Sequence, residues 1–217
     1  MIGFRVGDLY VSKTHPNSPT IRISTNTTKP AQITLVKNLF APYGYVRIYP
    51  KDKRGANSVR CYVNTSFSFL IPKHNKIDRW ILERKRTFFS FTAGYTDAEG
   101  TFCICGNSAI FSVKSQDKKI IHTLWRYLNH YGVLCKRPLL GRRGNTVDSR
   151  GVKNNKDVWQ LTVYRKDALL SLIKKLKPFL KHPQKVKEMM LVKKNIDDRN
   201  RKFGYKKDHR WYKTYAV

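Results

Sequence analysis

Two acidic residues, Asp8 and Glu99, lie in similar local sequences about 90 residues apart. Each follows a predicted helix that contains small residues, and each precedes a segment with the alternating character of a strand. A carboxylate at the C-terminal end of a helix faces the negative end of the helix dipole, which costs roughly a few tenths of a kcal/mol. Two such ends brought together would repel each other unless cations lay between them, and oxygen ligands suit Mg²⁺. Asp8 and Glu99 are therefore candidate metal ligands.

The chain of 217 residues is strongly basic. Its 44 lysines and arginines outnumber 14 aspartates and glutamates, which gives a formal net charge of +30. Residues 1–90 carry +12 and residues 91–217 carry +18, so the charge is spread through the chain and is not confined to one arm. Folding does not require this excess, and self-repulsion opposes it. A polyanionic partner explains the charge, with nucleic acid as the first candidate.

Membrane and secreted classes are disfavoured. No apolar run approaches the roughly 18–20 residues that span a bilayer. Arg5 and Asp8 interrupt the segment that would be apolar in a signal peptide, so we expect a protein that is not secreted and that resides in the cytoplasm of a prokaryote or in an organelle. The four cysteines form no C-x-x-C pair, which argues against a zinc ribbon and against a disulfide framework.

The elements that would position the two acids repeat as well. After its acid, each copy has a strand, an apolar-periodic helix, a basic loop and a further strand. The repeated strands and helices are residues 20–26, 33–40 and 60–64 in the first copy and residues 110–116, 120–128 and 159–164 in the second. Two copies of this length predict a pseudo-twofold pair of domains and not a solenoid of short units.

Residues 93–100, Ala-Gly-Tyr-Thr-Asp-Ala-Glu-Gly, resemble the LAGLIDADG motif of homing endonucleases, and residues 1–8 resemble a degenerate first copy. The resemblance covers nearly the whole chain. It implies an α+β fold of two pseudo-symmetric αββαββα subdomains with saddle-shaped antiparallel sheets that hold duplex DNA in the major groove. The expected subdomains are residues 1–80, with the degenerate motif at 1–9, and residues 81–217, with the motif at 92–100 and a basic C-terminal extension.

The family resemblance implies a site-specific endodeoxyribonuclease that takes part in intron homing. Such an enzyme is a phosphodiester hydrolase that acts as a monomer and makes a metal-dependent, staggered double-strand cut in a long, asymmetric DNA target. The implied cofactor is Mg²⁺, with Mn²⁺ as a substitute, and the implied partner is double-stranded DNA. The alternative is an RNA maturase of the same fold, which binds intron RNA and assists splicing. Acids at both motif ends favour the nuclease, because RNA binding alone needs neither.

The eighth motif position holds the functional acid in this family, and both Asp8 and Glu99 occupy it. Asp97, at the sixth position, is expected to be structural. Leu9 replaces the glycine that follows the acid in the motif, and Met1 stands at the first motif position. We therefore expect a turn after Asp8 that is altered or one residue shorter, and either a shortened start or an unusually brief first helix. If the first site is impaired, the protein would nick one strand preferentially.

Polar residues after the second strand of each copy are further catalytic candidates, namely Asn26 and Gln116. They would order water and neutralise charge. Thr25 and Ser115, one position earlier, are the alternatives, because the motif alignment allows a shift of one residue.

A basic residue is also expected at the catalytic centre. Lys166 or Arg165 follows the last repeated strand, where the family has such a residue. A solvated surface charge is the alternative for both.

The DNA-binding surface is expected on the strands and on the basic loops between them. Alternation along the strand after Glu99 would direct Cys103, Cys105 and Asn107 towards the groove and Ile104 inwards. The loop residues would contact phosphates or guanines at the outer ends of the target. The DNA-binding candidates are Arg22, Lys51, Lys53, Arg54, Asn107, Lys114, Arg142, Arg143, Arg150 and Arg165.

Overall fold

A computed structural model describes residues 1–147, 151, 153–207 and 210–212. It divides into two units, of which the first comprises Met1–Glu99 with Phe179–Gln184 and the second comprises Gly100–Pro178 with Lys185–Val217.

The first unit contains a four-stranded antiparallel sheet in the order β1-β2-β4-β3. Two 3₁₀ turns, Ala41–Tyr43 and Thr65–Leu70, follow the second helix and the fourth strand. Its helices and strands are α1 (Ile2–Gly7), β1 (Tyr10–Lys13), β2 (Thr20–Thr27), α2 (Pro30–Phe40), β3 (Gly44–Lys51), β4 (Asn57–Asn64), α3 (Arg79–Glu83) and α4 (Lys85–Glu99).

Strict alternation on β2 explains how this sheet acquires one apolar face and one polar face. Ile21 and Ile23 are fully buried, whereas Arg22 and Ser24 lie on the opposite face. Helix α2 covers the apolar face and begins with Pro30, whose fixed φ suits the first helical position. The core of the first unit therefore lies between this helix and the sheet.

The second unit repeats the plan with a four-stranded antiparallel sheet in the order β5-β6-β10-β7. Buried apolar residues of β6, β10, α5 and α6 form its core. Its helices and strands are β5 (Gly100–Cys105), β6 (Ser108–Ser115), α5 (Lys118–His130), β7 (Leu139–Arg142), β8 (Thr146–Val147), β9 (Lys153–Asn154), β10 (Val158–Val163), α6 (Lys166–Leu176), α7 (Pro183–Phe203), β11 (Tyr205–Lys207) and β12 (Arg210–Tyr212).

The predicted α+β class and the repeated order of helix, two strands, helix, two strands and helix are confirmed. The expected helices at 33–40 and 120–128 extend by two or three residues at their N-terminal ends. The repeat places a boundary between residues 80 and 81, whereas the two compact units meet at Glu99 and Gly100. Helix α4 belongs to the first unit because it packs along α1.

One detail of the strand prediction is wrong. Asn107 is not a strand residue, because it forms the β5–β6 hairpin turn with Gly106, and both have the positive φ that such a two-residue turn requires. Ile104 does lie on the inward face, since it pairs with the buried Ala109 on the side of Phe102, but it is 46% exposed because it is close to the hairpin turn. Cys103 and Cys105 are exposed.

Arg142 was expected in a loop, but it ends strand β7 and pairs with Val158, while Arg143 follows in the turn. Within the described residues, no helix combines the length and apolar character needed to cross a membrane.

Candidate active site

Helices α1 and α4 cross with their backbones in contact because glycine occupies both sides of the crossing. A Cβ added to Gly3 would lie 2.0 Å from the carbonyl oxygen of Phe91 and 2.6 Å from the backbone nitrogen of Tyr95. A Cβ added to Gly94 would lie 3.1 Å from the backbone nitrogen of Phe4. The small residues are therefore required by the close approach of two backbones.

The two helices run in the same direction and end together. Gly3 lies beside Phe91, and Gly7 lies beside Ala98, so the contacts advance along both helices in parallel. A Cβ at Gly7 would lie 3.6 Å from Glu99 Oε1, and Asp8 is the next residue. The predicted carboxylates are therefore brought to the same end of the helix pair.

This end of the helix pair concentrates negative charge. Asp8 and Glu99 are both half-buried, and each stands at the C-terminal end of a helix, where the dipole is negative. In the described part of the chain, no three His, Cys, Asp or Glu residues cluster as a ready-made metal site. Two carboxylates alone fit Mg²⁺, which keeps several water molecules and takes further oxygen ligands from substrate phosphates.

The turn after Asp8 differs from the motif as expected. Helix α1 has six residues, and Leu9 is buried in the core instead of forming a glycine turn. The buried Arg5 donates to the carbonyl oxygen of Leu9, to that of Leu70 at 2.7 Å and to that of Ile71 at 3.1 Å. Burial lowers the pKa of this guanidinium. Arg5 therefore holds the end of α1 against the rest of the first unit.

Asp97 has a structural environment. It is buried, and its carboxylate accepts hydrogen bonds from the backbone nitrogen of His182 at 2.9 Å and from that of Lys181 at 3.2 Å. These bonds fix the segment that precedes α7. The neighbouring motif acids thus occupy different surroundings, since Asp97 is enclosed and Glu99 is half-exposed.

Asn26 lies near the end of β2 and Gln116 directly follows β6, and each differs in exposure from its alternative one position earlier. Asn26 lies on the polar face of the first sheet, opposite the face that α2 covers; we call this the helix-free face. Asn26 is exposed there, whereas Thr25 is 7% exposed. Gln116 is exposed in the second unit, whereas Ser115 is 8% exposed and accepts a hydrogen bond from the backbone of Asp117. Accessibility therefore favours Asn26 and Gln116 over the positions before them.

Both basic candidates at the start of α6 have partners within the chain. Lys166 donates to Asn200 Oδ1 at 3.0 Å, and its pKa is lowered by burial and, less strongly, by Arg199. Arg165 forms two bonds with the Asp167 carboxylate, at 2.8 and 3.2 Å. These side chains would have to exchange these partners before contacting DNA.

A cluster of arginine and tyrosine on the helix-free face of the first sheet was missed from the sequence. The guanidinium carbons of Arg47 and Arg60 lie 4.8 and 4.5 Å from the centre of the Tyr49 ring. The rings of Tyr45 and Tyr62 are stacked on the same face at 6.4 Å. The sequence contained a signal for this cluster, because these residues alternate with apolar ones along β3 and β4.

The other DNA-binding candidates lie at several places. Arg22 is half-buried on the helix-free face of the first sheet, 3.4 Å from Ser12 Oγ, and Asn107 accepts a hydrogen bond from Asn195 on α7 at 3.3 Å. Arg150 lies outside the described residues. The exposed candidates are Lys51, Lys53 and Arg54 around the β3–β4 hairpin, Lys114 on β6, and Arg142 and Arg143.

No protein-family model matches the sequence, and no curated protein matches it. Solved structures do share its fold. I-DmoI in complex with DNA and Mn has 19% identity and a TM-score of 0.51, covering 81% of this chain and 93% of that chain. The homing endonuclease I-WcaI bound to its DNA recognition sequence has 16% identity and a TM-score of 0.54, covering 85% and 83%.

The LAGLIDADG homing endonuclease I-GzeII in complex with a DNA target has 11% identity and a TM-score of 0.52, covering 92% of this chain and 90% of that chain. At these identities the likeness establishes the fold alone. The chain therefore has the LAGLIDADG homing endonuclease fold that its sequence predicts.

Replacing Gly3 with alanine should destabilise the protein, because the new methyl group would overlap the Phe91 carbonyl. We expect a loss of about 3 kcal/mol in the free energy of unfolding, at the upper end of overpacking costs. Gly141→Ala is the control, since the nearest atom to its added Cβ would be Gln160 Cβ at 3.4 Å, an ordinary contact distance. Denaturant unfolding followed by circular dichroism measures both, and equal stability of the two variants would contradict the close crossing.

Proposed function

We propose that this protein is a site-specific DNA endonuclease that makes a metal-dependent, staggered double-strand cut in a long, asymmetric target. The observation that carries the proposal is the position of Asp8 and Glu99 at the same end of the α1–α4 pair. Two half-buried carboxylates beside two helix C-termini are unfavourable without a cation. A cation bound at this end of the helix pair would neutralise the two carboxylates, which gives the arrangement a function.

The shared fold supports both the partner and the cofactor. I-DmoI has been solved with DNA and Mn and with DNA and Ca, at TM-scores of 0.51 and 0.53. Hard divalent cations prefer oxygen ligands, which are what Asp8 and Glu99 offer. We propose Mg²⁺ as the cofactor, with Mn²⁺ able to replace it.

Hydrolysis forms a bond between a water oxygen and phosphorus and breaks the bond from phosphorus to the 3′ oxygen. The products are a 5′ phosphate and a 3′ hydroxyl, with one proton passing from water towards solvent and one taken up by the leaving oxygen. Bound divalent cations would activate the water and stabilise the leaving oxygen. Asp8 and Glu99 would bind these cations, with one carboxylate for each strand, so that a single chain suffices.

The other candidate residues would act through hydrogen bonds and charge. Asn26 and Gln116 carry exposed amides that could orient water beside a phosphate. Lys166 would supply positive charge once it released Asn200. Neutral amides and a cation beside the developing charge lower its energy in the transition state.

DNA binding is proposed for the helix-free face of each sheet. In the first unit, Arg47, Arg60 and Arg22 share this face with tyrosines, and in the second unit Lys114 shares its face with Gln160. Arginine reads guanine through two hydrogen bonds, and phosphate contacts hold the register. The two faces differ in their residues, so the target should be asymmetric.

Glu99→Gln should abolish cleavage while preserving DNA binding, because it keeps the size of the side chain and removes the charge that holds a cation. We expect a fall of at least about 100-fold in the rate of cutting a plasmid that carries the uninterrupted insertion site, in Mg²⁺. Asp8→Asn should behave similarly and leave mainly nicked plasmid. Glu83→Gln is the matched control, because Glu83 is exposed and pairs with Arg79.

Normal double-strand cutting by Glu99→Gln would show that the metal assignment is wrong. If the wild-type protein bound intron RNA tightly and cut no DNA, the nuclease proposal would fail and an RNA maturase would replace it.

Affinity for DNA should fall steeply with salt, with a log–log slope of about −0.9 for each phosphate neutralised. Alanine at both Arg142 and Arg143 should flatten this slope by roughly one or two units and relax preference at one end of the target. The control variant has alanine at Lys174 and Lys177, which removes the same charge from exposed positions at the end of α6. Titrations across salt concentrations compare the two, and equal slopes would place Arg142 and Arg143 away from DNA.

A further inference from the structure

A glutamine from helix α2 contacts one of the two proposed metal ligands. Gln32 Nε2 donates a hydrogen bond to Asp8 Oδ2 at 2.9 Å, and the two residues are 24 positions apart in the sequence. Gln32 is half-buried, in the first turn of a helix that packs on the sheet of the first unit. The contact therefore joins the end of α1 to the core of its unit.

A second hydrogen bond fixes the orientation of the Gln32 amide. The buried Thr27 hydroxyl donates to Gln32 Oε1 at 3.1 Å, and the same hydroxyl accepts from the backbone nitrogen of Lys29 at 3.0 Å. If the amide rotated by half a turn, its oxygen would face the Asp8 carboxylate, and both oxygens are acceptors. Thr27 therefore keeps the donor end of Gln32 directed at Asp8.

We propose that Gln32 is a positioning residue that holds the Asp8 carboxylate in place for cation binding, an inference that rests on the proposed function. The amide donates to Oδ2 and so fixes the orientation of the carboxylate that would bind a cation. A neutral donor also stabilises the ionised carboxylate without adding a positive charge that would compete with the cation. Hydrogen-bonded supports of this kind tune metal affinity in many proteins.

The second copy has a different residue at the position that corresponds to Gln32. Gln32 lies six residues after Asn26, and the residue six positions after Gln116 is His122. The His122 ring packs edge-on against Trp159 at 5.3 Å and Trp125 at 6.4 Å, so this position has an aromatic packing role. Loss of Gln32 should therefore affect the cut that depends on Asp8 more than the other cut.

Replacing Gln32 with methionine tests the inference, because methionine keeps the length of the side chain and removes the donor. Asn38→Leu is the matched control, since it replaces an exposed amide on the same helix with an apolar side chain of similar shape. The probe is Mn²⁺, titrated into the complex of each protein with its target duplex and followed by electron paramagnetic resonance. Asp8→Asn sets the signal for loss of the ligand.

We expect Gln32→Met to bind the Asp8-dependent Mn²⁺ about 10- to 100-fold more weakly than wild type. It should also accumulate plasmid nicked in one strand, whereas Asn38→Leu should match wild type in both assays. Thr27→Val, which removes the hydroxyl but retains the shape, should weaken Mn²⁺ binding in the same direction by a smaller factor. This variant decides the question if Gln32→Met does not fold, as judged by circular dichroism.

Two outcomes would overturn the inference, and they are distinguishable. If wild type binds Mn²⁺ and Asp8→Asn does not, unchanged Mn²⁺ affinity and strand balance in Gln32→Met and Thr27→Val reject the positioning role alone. If Asp8→Asn binds Mn²⁺ as wild type does, the metal site and the proposed function fail together with it.

Discussion

The backbone contact between α1 and α4 is the constraint on which the candidate site depends. Gly3 and Gly94 leave no side chain between the helices, so the two backbones approach within van der Waals distance. Because the helices run in parallel, they also end together, and Gly7 lies against Ala98 where they do. Any larger residue at Gly3 would separate the helix ends. The fold thus converts a pattern of small residues into a defined spacing for Asp8 and Glu99.

The surroundings of each carboxylate determine what it can do. Asp97 is enclosed by backbone donors before α7, so its charge is already satisfied inside the protein. Asp8 receives a neutral amide donor from Gln32 and remains half-exposed. Arg5 lies nearby in sequence, yet it donates to three backbone carbonyls and contributes to the attachment of α1. Asp97 and Arg5 are therefore structural anchors, whereas Asp8 is a proposed metal ligand.

Much of the fold could be predicted from the sequence, because its signals are local and occur twice. Small residues before Asp8 and Glu99, and alternation such as Ile21–Arg22–Ile23, follow from the periods of helices and strands. Contacts that join distant segments could not be predicted in this way. The bond from Gln32 to Asp8 depends on how α2 packs. Asn107 was wrongly predicted to be a strand residue. Gly106 and Asn107 form the turn of a hairpin, and this turn signal outweighs strand alternation.

A crystal structure of the protein with its target DNA and Mn²⁺ would test the central claim most directly, because anomalous scattering locates manganese independently of the protein atoms. The account predicts anomalous peaks at the joined ends of α1 and α4, with at least one at about 2.0–2.6 Å from a carboxylate oxygen of Asp8 and one at a similar distance from Glu99. Manganese bound elsewhere on the DNA, with neither carboxylate in its coordination, would contradict it.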